Sequence, residues 1–140
     1  MKTAISTIIA VTLAFYASPA SAKDAAGIEE NQVIVITASD LWKKLKGDWK
    51  GKDRPTLIDL RSQKEHDKGH LEGARQFDLE GDQFDSKVAK LDRNRTYVVY
   101  CRDGTNSAKV VTAWKEKNFQ KLYHLKGGWD AYEAVITGRK

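Results

Sequence analysis

A single cysteine, Cys101, stands among 140 residues, so no internal disulfide can form and the fold has to be held by its core. The three histidines, His66, His70 and His124, have no metal-ligand spacing to one another or to Cys101, so no metal site is expected. No internal repeat or low-complexity segment appears. Neither sign of charge dominates: 24 Lys and Arg against 19 Asp and Glu leave +5. The densest basic stretch, Lys43 to Arg54, is interleaved with Asp48, Asp53, Trp42 and Trp49. It reads as a solvated helix face and loop, so no nucleic-acid partner is expected. The hydrophobic share of 41%, with ten glycines besides, is ordinary for a globular chain, and the length suits one domain.

Long uncharged chain occurs only at the start. Met1-Lys2 is a short positive region, Ala4 to Tyr16 is apolar, and Ala20-Ser21-Ala22 fits a peptidase site before Lys23-Asp24. A retained anchor would need the 20 or so apolar residues of a membrane span. Ser6, Thr7, Thr12, Ser18, Pro19 and Ser21 dilute the stretch, so residues 1–22 are expected to be a cleaved signal peptide. A lipid anchor at the cut is excluded, because the only cysteine is Cys101. The mature protein is then expected outside the cytoplasm, in the periplasm, with no membrane attachment and as a monomer.

Residues 23–32 read as a flexible lead-in, and residues 33–140 as the domain. Val33 to Ile36, Thr56 to Leu60, Tyr97 to Tyr100 and Leu122 to Leu125 are short apolar runs, too short for helices. Between them lie helical stretches. Asp40 to Lys46 follows Ser39 as cap, with Leu41, Trp42 and Leu45 on one face. Ser62 to Lys68 is polar and stops at Gly69, after which residues 70–77 read as a loop entering a short strand. Gly81 to Leu91 spaces Phe84, Val88 and Leu91, and Ser107 to Lys117 spaces Val110, Val111 and Trp114. Asn118 suits a left-handed cap, and a last helix carries Trp129, Tyr132 and Val135. Continuous rather than alternating apolar strands, alternating with helices, predict a parallel sheet covered on both faces. Ligands of such sheets bind at the carboxyl ends of strands, where Cys101 falls.

The segment Cys101-Arg102-Asp103-Gly104-Thr105-Asn106-Ser107 is a short loop running into a helix. Backbone N–H groups turned toward one point, reinforced by the helix dipole, make an anion nest. Such a nest favours a thiolate, which is the nucleophilic form of sulfur, and needs no partner base. Gly104 lets the backbone curl close to the sulfur. Asp59 and Arg61, flanking the end of a core strand, read as an ion pair or loop tether, and His70 as a turn anchor.

Several motifs, in order, carry a resemblance. Leu57-Ile58-Asp59-Leu60-Arg61, Glu65 and Gly69-His70-Leu71-Glu72-Gly73-Ala74 are similar to the N-terminal signatures of the rhodanese-like domain. Val98 to Ala108 resembles its active-site strand and loop, and Asn118-Phe119, Leu125 and Gly127-Gly128-Trp129 its C-terminal signature. With the export signal, the chain looks most like single-domain periplasmic sulfurtransferases. The resemblance implies a three-layer α/β/α fold with a five-stranded parallel sheet, and no metal or organic cofactor. It implies that Cys101 takes a sulfane sulfur from a donor such as thiosulfate, holds it as a persulfide and passes it to cyanide, a small thiol or a protein thiol. The N–H groups from Arg102 to Ser107 would hold the terminal sulfur or departing sulfite. Where many members carry Arg or Lys, this chain has Asn106, which leaves Arg102 as the loop's only cation.

Three rivals are weaker. A cysteine phosphatase wants an arginine six residues after the cysteine to clamp phosphoryl oxygens, and Ser107 stands there. A thiol–disulfide oxidoreductase lacks its second cysteine. A non-enzymatic binding or redox-sensing module would fit Asn106 but not the retained Cys101.

Overall fold

The computed structural model describes residues 31–139. The signal peptide and most of the lead-in read from the sequence therefore lie outside the described residues. Five strands, β1 (Gln32–Ile36), β2 (Thr56–Asp59), β3 (Arg75–Gln76), β4 (Thr96–Tyr100) and β5 (Lys121–Leu125), form one sheet in the order β1-β5-β4-β2-β3. Every neighbouring pair is parallel. Helices α1 (Ala38–Lys46), α2 (Gln63–Lys68), α3 (Phe84–Ala89), α4 (Thr105–Glu116) and α5 (Gly128–Thr137) connect and cover it.

Side chains alternate across each strand and so build two cores. Ile58, Tyr97, Val99, Cys101 and Leu122 face Val88, Val110, Val111 and Trp114 of α3 and α4. Leu57, Val98, Tyr100, Tyr123 and Leu125 face Leu41 of α1 and Tyr132 of α5. Both faces of the central strands are thereby dry, which is why their sequences read as unbroken apolar runs.

Expectation and structure differ in several local places. The cap of α1 is Thr37, not Ser39: its Oγ1 accepts from the Asp40 N–H at 3.1 Å and donates to Asp40 Oδ2 at 2.8 Å. Starting there turns Ala38 and Leu41 inward. Val35, Trp42 and Val135 remain 60%, 39% and 38% exposed, so none joins the core. Val35 lies on β1, which pairs only with β5 and is the sheet edge. Helix α4 begins two residues earlier than its apolar spacing suggests, for a reason that belongs to the cysteine loop.

Asn118 adopts φ 65°, the left-handed turn expected of it. Around it Asn118 N–H donates to Lys115 O at 3.0 Å and Phe119 N–H to Trp114 O at 3.1 Å. This double closure returns Phe119 onto Trp114, ring centroids 4.9 Å apart.

Candidate active site

Strands β2 and β4 lie side by side, and their carboxyl ends open into one cleft of ≈ 400 Å³. Cys101 is the first residue after β4 and is 4% exposed. Its Sγ accepts hydrogen bonds from Gly104 N–H at 3.2 Å and Ser107 N–H at 3.4 Å. As a thiol it faces Ser107 Oγ at 3.5 Å and Asp103 Oδ1 at 3.8 Å. Two backbone donors converging on sulfur at the head of a twelve-residue helix form the nest expected from the sequence.

The nest is narrower than expected. Asp103 Oδ1 takes the Thr105 N–H at 2.9 Å, so that donor does not serve the sulfur. The same bond holds the Asp103 carboxyl below its ordinary range and lets α4 start at Thr105 behind left-handed Gly104. Thr105 and Asn106 are thus helix rather than loop, and with Ser107 they make the first turn of α4. Asn106 lines the cleft, Thr105 is exposed, and Ser107 is fully buried under the sulfur with its hydroxyl donating to Gly104 O. The Arg102 guanidinium does not face the sulfur alone, because it is hydrogen-bonded to Glu65 Oε1. That bond draws the Glu65 carboxyl below its ordinary range. Glu65 also closes the capping box of α2 with Ser62, so one carboxylate ties α2 to the cysteine loop.

Beneath the cleft lies a buried polar strut. Asp59, fully buried, accepts from Arg61 Nε at 2.9 Å and from a second Arg61 nitrogen at 2.7 Å. It also accepts from Tyr100 Oη at 3.0 Å and meets His66 Nδ1 at 2.8 Å. Burial alone would raise the Asp59 carboxyl, but the bonds from Arg61 and His66 outweigh it and hold the group below its ordinary range. Burial and the neighbouring Asp59 charge push the Tyr100 phenol well up, so it stays a donor. Arg61 lines the cleft, donates to Gly69 O at 2.7 Å and lies 4.9 Å from the Trp129 ring. His70 lies off the cleft: its Nδ1 donates to His66 O at 2.7 Å and its ring stacks on His66.

Two glycines lock the loop in place. A Cβ on Gly104, which has φ 93°, would stand 3.0 Å from Gly127 N. On Gly128, with φ 58°, it would stand 2.5 Å from both Cys101 O and Arg102 O. Those two carbonyls accept from Trp129 N–H at 2.8 Å and Asp130 N–H at 3.0 Å, so the first turn of α5 grips the loop backbone. His124 Nε2 donates to Gly104 O at 2.9 Å from the β5 side. Gly128→Ala is expected to cost about 2–4 kcal/mol, from left-handed strain and backbone overlap. It should also slow alkylation of Cys101 as the loop shifts; urea unfolding and an iodoacetamide time course check both.

Sequence reasoning did not single out Tyr100 or His66 as supports, nor Asp78 and Glu80 as lining residues of the cleft. The one signal available was the acidic run from Asp78 to Asp85, which lacks a basic residue.

The family model of the rhodanese-like domain matches residues 37–135. A probable adenylyltransferase/sulfurtransferase, MoeZ, of Mycobacterium tuberculosis is 30% identical over 127 residues, covering 84% of this chain but only 32% of that protein. The chain thus spans about a third of that relative's length. The thiosulfate sulfurtransferase GlpE of Shewanella oneidensis is 29% identical over 76 residues, 54% of this chain and 73% of that protein. Among solved structures, a rhodanese-like domain protein from Staphylococcus aureus superposes with TM-score 0.60 at 26% identity, covering 71% of this chain and 90% of that one. With its parallel sheet and its cysteine at the end of β4, this chain belongs to the rhodanese-like domain family.

Proposed function

We infer that the protein is a sulfurtransferase that carries sulfane sulfur on Cys101. The observation that supports this most is the sulfur itself, set at a strand end with Gly104 and Ser107 N–H groups donating to it and a cleft above it. The Cys101 thiolate attacks the outer sulfur of a donor such as thiosulfate. The S–S bond of the donor breaks and sulfite leaves with its electron pair, giving the Cys101 persulfide. Cyanide or a thiolate then attacks the terminal sulfur, taking it away as thiocyanate or a new persulfide and returning the Cys101 thiolate. The nest stabilises negative charge on sulfur at both stages, and Ser107 holds the loop beneath it.

Donor and acceptor use the same sulfur in turn, so transfer is ping-pong. Initial rates over a grid of thiosulfate and cyanide concentrations should give parallel double-reciprocal lines. Intersecting lines would mean direct transfer between bound substrates and would overturn the covalent route. We further propose that residues 1–22 direct export and are removed. N-terminal sequencing of protein recovered from the periplasm should begin at Lys23; retention of Met1 would overturn this.

A further inference from the structure

The chain carries +5 overall, yet the cleft over Cys101 has the opposite character. Its two guanidiniums are committed elsewhere, Arg61 to buried Asp59 and Arg102 to Glu65. Three more carboxylates line it: Asp78, Glu80 and Asp103. Among the described residues, no ion pair supplies any of these three with a cation. Asp78 and Asp103 instead accept backbone N–H groups of Glu80 and Thr105. Asp82 adds a further carboxylate to the segment between β3 and α3, whereas Asp85, in the first turn of α3, lines the adjoining groove; the first base of α3, Lys87, is turned to Gln76 O at 3.3 Å. Lysines 109 and 117 line an adjoining apolar groove beyond Asn106 rather than the cleft. The floor at sulfur therefore favours one negative charge, and the walls favour a positive one.

We propose that Asp78 and Glu80 select substrates whose arm, trailing behind the reacting sulfur, is cationic. The fitting class is the aminothiol persulfide, of which cysteamine persulfide is the simplest, rather than a dianion such as thiosulfate. This rests on the reading of Cys101 as sulfur carrier. The Cys101 thiolate attacks the outer sulfur of R–S–S–H and the donor's S–S bond breaks. The aminothiolate leaves with the electron pair, and the sulfur with its proton stays on Cys101 as S–S–H. The ammonium of the departing arm remains beside the acidic lip throughout.

The charge selection is read first without any sulfur transfer. Cys101 is modified by the trimethylammonioethyl or the sulfonatoethyl ester of methanethiosulfonate, each rate divided by that on 2-mercaptoethanol. The normalised cation-to-anion ratio is expected to be about tenfold or more at low salt and to fall to a few-fold at about 0.5 M. Asp78→Asn with Glu80→Gln should bring it to within about twofold of unity, with circular dichroism reporting the fold. The salt series reads the same field without a substitution. Equal normalised rates, a preference for the sulfonate, or a ratio untouched by both salt and the double variant would overturn the proposal. Cysteamine persulfide is then compared with 3-mercaptopropionate persulfide as donor, and should load Cys101 faster by a similar factor. Equal loading overturns the selection. If neither persulfide loads Cys101 while the reagent ratio holds, the charge selection stands and the sulfur-carrier reading fails.

Discussion

Cys101→Ala is expected to bring sulfur transfer to the uncatalysed rate, a loss of at least about a thousandfold, because no other thiol exists to take its place. Truncation also strips the acceptor from the Gly104 and Ser107 N–H groups, so a cost of about 1–3 kcal/mol in stability accompanies it. Cys101→Ser separates the two effects. An oxygen at the same place still accepts from the nest, while its hydroxyl has too little anion character to attack a sulfane sulfur. Both variants should be inactive, with the serine form the more stable in urea. Turnover by either one, after cyanide treatment to remove carried sulfur, would sink the covalent mechanism.

Asp59→Asn is expected to cost about 3–5 kcal/mol, the usual penalty for leaving a buried charge without its partner. Arg61 is 7% exposed and holds Gly69 O as well as Asp59, so its displacement loosens the segment joining α2 to β3. Asparagine keeps the shape and one acceptor but loses the anion that balances the guanidinium. The pH dependence identifies the cause. A carboxyl held below its ordinary range in the folded state stabilises the fold above the unfolded value of about 3.9, and that contribution disappears as pH falls through the folded value. The gap between wild type and Asp59→Asn should therefore be full and flat above about pH 5 and shrink below it. Urea midpoints across pH 3 to 7 check this; a gap of the same size at every pH would assign the effect to packing rather than charge.

The layer order, the parallel sheet and the place of the cysteine were legible because each depends on local patterns. Buried strands such as Tyr97 to Tyr100 show as continuous apolar runs, and ordered motifs from Leu57 to Trp129 mark the family. Parts of the site that depend on distant pairings were not. Asp59 and Tyr100 are 41 positions apart and meet only because β2 and β4 pair in register. Asp78 and Glu80 reach the cleft because β3 pairs at the sheet edge beside β2, which no periodicity announces. The early start of α4 turns on one side-chain bond, Asp103 to Thr105, that apolar spacing cannot reveal. The choice of Thr37 over Ser39 was open locally, since both residue types cap helices, and burial of Leu41 decided it.

The most direct test of the account is the mass of the intact protein after incubation with a sulfane-sulfur donor, before and after cyanide. The account predicts an adduct one sulfur heavier, located on Cys101, removed by cyanide with an equivalent of thiocyanate. Wild-type protein that is folded, has a free Cys101 and gains no such mass from thiosulfate or from either persulfide would contradict it, and the cleft would then belong to a binding module.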